Sequence, residues 1–176
     1  EPIDWRVLDM TDSDALLISE KIIAARPFSD ANSTIWGKSP LRSWLNEDFL
    51  YETFSEAEIR RIKYVTHEDD DDNRKQYVED RVFLLNVEEV LKYLPTREDQ
   101  ATTPTDTVTA LMMQKMKRDV KGWWLRRTPK YENTDQTVSG YWSGFEIGVR
   151  GDNIGNFVAN WDGVRPAIWV KLPLTD

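Results

Sequence analysis

Short apolar runs, spaced in some places for strands and in others for helices, constrain this fold more than any other feature of the sequence. Residues 5–9 and 14–19 read as two short strands, and the polar residues 10–13 between them predict a hairpin turn. The final run, residues 164–172, reads as a closing strand, with Pro166 at its start or on an edge. No apolar run approaches the ~20 residues that cross a bilayer, so we expect no membrane-spanning segment.

Helical signals fill the middle of the chain. Ser39 is typical of a helix N-cap and Pro40 of a first helical position, and the apolar residues that follow recur at helical spacing. Two capping boxes predict further helix starts, and residues 109–118 predict a helix that ends before Gly122. The capping-box pairs are Ser55 with Glu58 and Asn86 with Glu89.

Polar segments separate these elements. The charged residues 68–75 are interpreted as a break, and residues 96–107 as a loop. From Gly122 to Gly163 the frequent Gly and Asn residues predict short strands joined by turns. We therefore predict one α+β domain over residues 1–176, cut from a longer polypeptide.

The formal charge and the missing cysteines exclude several kinds of chemistry. The net charge of −8 makes this an acidic protein, which argues against nucleic-acid binding because that relies on clustered Lys and Arg. With no Cys, the chain has no disulfide, zinc–thiolate site or thiol nucleophile. Eight Trp residues indicate a heavily aromatic core, exposed aromatic contacts, or both.

Four sequence stretches carry a resemblance over nearly the whole chain. They are Pro-Ile-Asp-Trp-Arg-Val-Leu at residues 2–8, Ser-Pro-Leu-Arg-Ser-Trp-Leu-Asn at residues 39–46, Gly-Trp-Trp-Leu-Arg at residues 122–126, and Gly-Val-Arg-Pro-Ala-Ile-Trp-Val-Lys-Leu at residues 163–172. In this order they resemble an uncharacterised family of bacterial domains found on secreted, lipid-anchored or surface-associated proteins. The resemblance implies an extracellular or cell-surface location in a bacterium.

The closing Gly-Val-Arg-Pro-Ala run also resembles the C-terminal signature of the C-type-lectin-like superfold, which includes formylglycine-generating enzymes. The resemblance implies small twisted antiparallel sheets, paired N- and C-terminal strands, helices packed alongside and a loop-rich late region. It places ligands on the late face, here residues 126–162. This is an analogy of fold and specifies no single function.

The residues of the known chemistries of that superfold are missing from this sequence. Its copper-dependent enzymes use paired Cys, and its iron-dependent relatives use a cluster of His, whereas this chain has only His67. We therefore expect no enzyme activity, no metal and no cofactor. His67 is interpreted as a surface residue at the edge of a loop, and the acidic residues 68–72 as a solvated charged loop rather than a calcium site.

Two further patterns bear on function, and the sequence supports them less. Residues 160–162 (Asn-Trp-Asp) resemble a scrambled form of the calcium-and-sugar motif of true C-type lectins, but turn residues around a Trp explain them better. Glu146, Asp152 and Asp162 are candidates for a glycosidase acid pair, although sequence cannot supply their separation.

The remaining late residues predict a binding surface. Aromatic side chains mixed with Asn, Asp and Arg suit sugar stacking, and the same mixture is typical of protein-recognition hot spots. We therefore expect a non-catalytic recognition or accessory domain that binds a glycan or a protein. The candidate ligand-binding residues are Arg126, Tyr141, Trp142, Phe145, Glu146, Arg150, Asp152, Asn153, Asn156, Asn160 and Trp161.

Two alternatives to this function stay open, and one alternative concerns two arginines. In the first two, the domain would be a structural or assembly module without a pocket, or an enzyme of unrecognised chemistry in the late-loop cleft. Arg126 and Arg165 are equally compatible with structural roles, held in a buried pair that closes the fold, because Arg is rarely buried without a partner.

Overall fold

A computed structural model of the chain describes residues 2–29, 35–71, 74–126, 143–148, 153–157 and 159–173. It confirms a mixed α+β architecture of small, largely antiparallel sheets with short helices packed beside them. The strands are β1 (Trp5–Met10), β2 (Asp14–Ser19), β3 (Ala24–Arg26), β4 (Val65–Asp71), β5 (Arg74–Asp80), β6 (Val82–Phe83), β7 (Gly122–Trp124), β8 (Ser143–Gly148), β9 (Asn153–Phe157), β10 (Asp162–Val164) and β11 (Ala167–Lys171).

The first sheet joins the two ends of the chain in the strand order β1-β2-β11-β6. The predicted hairpin is confirmed, since β1 pairs antiparallel with β2, and a bulge between Val7 and Asp9 shifts the register. β11 pairs antiparallel with β2 along its whole length, with Trp169 opposite Leu16. Pro166 directly precedes β11, where it needs no ladder hydrogen bond.

The second sheet is formed mainly by the late strands, in the order β3-β10-β7-β8-β9. β10 runs parallel to β7 with Gly163 beside Trp123, and the other pairs are antiparallel. β7 therefore lies in the middle of the sheet, and both of its Trp residues are fully buried. Because consecutive strand residues point to opposite faces, the sequence alone indicates that at least one of these two Trp residues points inward.

The charged break predicted at residues 68–75 is wrong. Its described residues, 68–71 and 74–75, belong to a two-stranded hairpin in which β4 pairs with β5 over seven residues. Alternation along β4 explains the difference: His67 and Asp69 are buried on one face, and Thr66 on the other face is exposed. The backbone N–H of Gly37 donates a 2.6 Å hydrogen bond to the buried Asp69 carboxylate, so an acidic residue is accommodated inside.

The helices follow their capping signals. They are α1 (Pro40–Trp44), which continues through a π-helical segment (Leu45–Phe49) into α2 (Leu50–Thr53), then α3 (Glu56–Ile59), α4 (Val87–Tyr93), α5 (Arg97–Gln100) and α6 (Asp106–Met116). The Ser39 cap and both predicted capping boxes are present. The loop predicted at residues 96–107 is wrong in part, because it contains α5 and the start of α6, each capped by a Thr side chain.

The core between the sheets and helices is strongly aromatic. Phe28 contacts both Trp36 and Trp124, with ring centroids 6.1 and 5.9 Å apart. Such ring pairs add stability beyond the apolar area that they bury. Within the described part of the chain, no helix is long and apolar enough to cross a membrane.

Candidate functional site

One end of the second sheet gathers residues from four late elements. β7 begins there at Gly122, opposite the last residue of β8, Gly148, and β9 begins there at Asn153. Because β10 is parallel to β7, its start and the preceding Trp161 lie at this end too. We call this region the Trp161 end of the second sheet.

Asp162 fixes the backbone at the Trp161 end. Its buried Oδ1 accepts hydrogen bonds from the backbone N–H groups of Lys121, Gly122 and Gly163, at 3.0, 3.1 and 3.0 Å. Burial raises the pKa of this carboxyl, and the three hydrogen bonds oppose that rise. Asp162 therefore anchors two strands, which explains its place better than a role as a glycosidase acid.

Gly163 shows how closely these strands approach. A Cβ at this position would lie 2.3 Å from the carbonyl oxygen of Gly122, which is far inside van der Waals contact. A larger residue would push β10 away from β7 and move Trp161 with it.

Trp161 is half-buried and connected to the end of α6. The ammonium of Lys115 lies 4.7 Å from the centre of its ring, within the range of a cation–π contact. Arg118 donates one hydrogen bond to the Trp161 carbonyl, and its guanidinium lies 3.7 Å from the Asp162 carboxylate. The helix end and the start of β10 are thus held together by two cations and one aromatic ring.

Lys117, directly after α6, has an unusual backbone conformation. Its φ of 55° and ψ of 30° are left-handed, and it is the only non-glycine residue with positive φ in the described part of the chain. Helices commonly end on this conformation, but Gly usually occupies it, because a side chain there costs roughly 1–2 kcal/mol. No motif in the sequence pointed to Lys117, although the absence of a Gly directly after the helix was a usable signal.

The candidate surface divides once the backbone is in place. Asn153, Asn160 and Trp161 lie at the Trp161 end. Position 146 pairs with Trp124 and position 156 with Gly144, both further along the sheet. Since alternate positions lie on opposite faces, positions 146 and 156 share one face, and positions 145 and 153 share the other. Tyr141, Trp142, Arg150 and Asp152 lie outside the described residues.

Arg126 lies apart from this group, beyond the opposite end of β7. Its side chain is 4% exposed, and Nη2 is 2.8 Å from the Glu89 carboxylate of α4. Nε donates to the carbonyl of Leu84 at 3.0 Å. These contacts suit the structural alternative, in which Arg126 closes the fold.

Arg165 is also buried, but without a carboxylate partner in the described residues. Nε donates to the Ser19 carbonyl at 2.8 Å, and the guanidinium lies 5.2 Å from the centre of the Trp123 ring. Burial lowers the pKa of Arg165 to about 10, still high enough to keep it charged. The expected buried ion pair is therefore replaced by a carbonyl and an aromatic ring.

A buried polar network joins α1 to the β4–β5 hairpin, and sequence reasoning missed it. The Asp80 carboxylate is 0% exposed and accepts hydrogen bonds from Trp36 Nε1 at 2.8 Å and Arg42 Nε at 2.6 Å. The Oδ1 of Asn46 accepts hydrogen bonds from the backbone N–H groups of Arg81 and Val82 beside it. Burial raises the pKa of Asp80, and the hydrogen bonds from Trp36 and Arg42 offset only part of that rise.

His67 faces this network, so its prediction as a surface residue is wrong. It is 4% exposed and packs on Phe83, with ring centroids 4.6 Å apart. Its Nε2 is 4.0 Å from Asp80, beyond hydrogen-bond distance. Burial, with the charges of Arg126 and Arg42, lowers the pKa of His67 to about 3, so the imidazole is neutral at pH 7. The available signal was the apolar Val65, two positions earlier on the same face of β4, but the acidic residues that follow hide the alternation.

Two other features bear on possible ligands. No group of three His, Asp or Glu side chains in the described residues is arranged to hold a metal ion. A shallow cavity of about 310 Å³ lies between β2 and α5, lined by Glu20, Lys21, Ala101, Thr102 and Thr103. No sequence pattern marks the residues of this cavity as candidates for ligand binding.

Comparison with known proteins assigns the chain to a family. Residues 12–172 match the domain of unknown function DUF6273, and the chain belongs to this family. The family match confirms the predicted resemblance to an uncharacterised domain family. Neither the search of curated proteins nor the search of solved structures found a match.

Proposed function

We propose that this chain is a non-catalytic recognition domain that binds its ligand at the Trp161 end of the second sheet. The observation that carries the proposal is the half-buried Trp161, whose ring is held by Lys115 at the junction of β10 and α6. An aromatic ring beside fixed polar and cationic groups is suited to ligands that combine apolar and polar surfaces.

The proposal includes a C-type-lectin-like fold. It is supported by the first sheet, which brings the first strand and the last strand of the chain within one strand of each other. It is also supported by the second sheet, since its outer strands come from the late region. In this fold the late face is the ligand face, which agrees with the position of Trp161.

The setting that we propose is a longer secreted or surface protein of a bacterium. The support is the resemblance of residues 2–8, 39–46, 122–126 and 163–172 to domains on such proteins. The binding partner in that setting is a glycan or a protein rather than a small metabolite. An exposed sheet end is a more suitable platform for an extended ligand than an enclosed pocket.

A glycan and peptidoglycan-fragment array, probed with the purified domain in calcium and again in chelator, tests the proposal. We expect binding that Trp161→Ala abolishes and that Tyr77→Ala preserves. Tyr77 is a suitable control because its side chain is exposed on β5, which is not a strand of the second sheet. If the folded domain bound nothing, or if Trp161→Ala bound as well as the parent chain, recognition of sugars at this site would be refuted.

A further inference from the structure

We infer that the Trp161 end binds an acidic polysaccharide, a polymer of sugar rings that carry carboxylate or other anionic groups. The inference rests on the proposed function, and it specifies the chemical class of the ligand. Three observations support it: a concentration of cations, of which the three lysines form no salt bridge with the described residues, a strained lysine, and apolar side chains beside them.

The segment from Lys115 to Lys121 is cationic in a chain that is otherwise acidic. It has four cations and one carboxylate within seven residues, although the whole chain has a net charge of −8. The side chains of Lys115, Lys117 and Lys121 are exposed, and none of the three forms a salt bridge in the described residues.

Exposed cations elsewhere are often paired. Arg60 lies 3.6 Å from Glu56, Lys75 lies 3.0 Å from Glu68, and Lys92 lies 3.8 Å from Asp9. Three neighbouring lysines that form no salt bridge within the described part of the chain make a local positive field. That field attracts anions in spite of the net charge of the chain.

Lys117 supplies an independent argument. A side chain in a left-handed conformation is strained, and Gly would remove the strain. A lysine near a helix C-terminus also interacts favourably with the helix dipole, but Lys115 already lies in the last turn. Strain kept in the native backbone is common where a side chain serves binding, so we assign Lys117 to the ligand.

The side chains around these cations suit sugar rings. Met113 and Met116 are 47% and 36% exposed, and Trp161 is half-buried next to Lys115. Sugar rings have apolar C–H faces that pack on such side chains, and anionic substituents would meet the lysines. A thin polymer also contacts only this cationic segment, whereas a broad anionic membrane would face the remaining acidic surface as well.

Carboxymethyl dextran and neutral dextran of equal length provide a matched pair of probes, because they share one sugar backbone and differ only in the anionic carboxymethyl substituents. Binding to the parent chain is measured by calorimetry at low salt and again at 0.5 M NaCl. We expect binding to carboxymethyl dextran alone, and its loss in high salt.

Three variants locate the binding. Lys117→Gly should weaken it roughly two- to fivefold, and the double variant Lys115→Gln with Lys117→Gln should weaken it at least tenfold. Arg60→Gln is the control, since it removes one exposed positive charge outside the segment from Lys115 to Lys121 and should leave binding unchanged.

The outcomes separate the two proposals. Equal binding to both dextrans, or binding that the lysine variants leave intact, overturns the inference, while a Trp161-dependent signal on neutral glycans would still support recognition. Binding to anionic lipid vesicles without binding to carboxymethyl dextran overturns it in favour of a membrane surface. No binding to any of these probes overturns it as well.

Discussion

The Asp80 network and the Trp161 end use the same kinds of residue, an aromatic ring with cations and carboxylates, in opposite ways. At Asp80 the groups are buried and bonded to one another, with Trp36 and Arg42 both donating to one carboxylate. At the Trp161 end the carboxylate of Asp162 is used by the backbone, and the lysines face solvent without salt bridges in the described residues.

The difference teaches which polar residues serve the fold and which are available to a ligand. A buried charge is tolerated only when its hydrogen bonds are made, so the Asp80 network is tied to stability. Exposed cations contribute little to stability, and their arrangement at the Trp161 end is therefore better explained by binding. Changes in the first region should alter unfolding, and changes in the second should alter affinity.

The largest expected effect comes from Asp80→Ala. Removing one partner of a buried pair leaves Arg42 and the Trp36 N–H without their acceptor, and we expect a loss of about 3–5 kcal/mol in the free energy of unfolding. Urea denaturation followed by circular dichroism measures this loss. Glu56→Ala, which breaks an exposed pair, should change stability by less than about 0.5 kcal/mol. Similar losses in the two variants would contradict the contrast.

The second effect depends on pH. The folded pKa of His67 is about 3, against 6.5 when it is free, so between these values the unfolded chain binds the proton more tightly. Stability is therefore retained above pH 6.5 and lost as pH falls towards 3, by up to about 1.4 kcal/mol per pH unit from this residue.

His67→Leu removes the contribution of His67 to the pH dependence of stability. Asp80 and Asp162 contribute in the opposite direction, because their raised pKa values favour the folded state in acid. Comparing the variant with the parent chain cancels these contributions. Unfolding curves at pH 7, 6, 5 and 4 should show the stability of the parent chain falling relative to the variant. Parallel pH profiles would show that His67 does not titrate in this way.

The smallest expected effect has the opposite sign. Lys117→Gly relieves a left-handed backbone and should raise the free energy of unfolding by about 1 kcal/mol. Differential scanning calorimetry should record a higher Tm in the variant that loses affinity for carboxymethyl dextran. If stability fell instead, the lysine would be a structural residue, and its assignment to the ligand would lose support.

Much of the fold could be predicted from local signals. The β1–β2 hairpin followed from two short apolar runs around a turn, and the helix starts followed from Ser39 and the capping boxes, because such caps act within four residues. The β4–β5 hairpin was missed because its acidic composition masked the alternation. Asp69 is accommodated there by the backbone of Gly37, a partner 32 residues away that no local pattern reveals.

The candidate site was predictable only in part. Trp161 and Asn160 could be identified from their residue types. The contact of Trp161 with α6 could not, because it depends on the long-range pairing of β10 with β7. Arg126 was grouped with them because the lectin-like resemblance places ligands on residues 126–162, whereas β7 carries it in the other direction to Glu89. The cluster of lysines without salt bridges to the described residues needed the structure, since pairing of charges is a property of three-dimensional neighbours.

The most direct measurement is a ¹⁵N–¹H NMR titration of the domain with carboxymethyl dextran, followed through the two indole N–H groups that mark the two regions. Our account predicts shifts of the Trp161 indole and of the amides from Lys115 to Lys121, while the Trp36 indole, bonded to Asp80, stays in place. Shifts centred on Trp36 and the β4–β5 hairpin, with Trp161 unmoved, would contradict it.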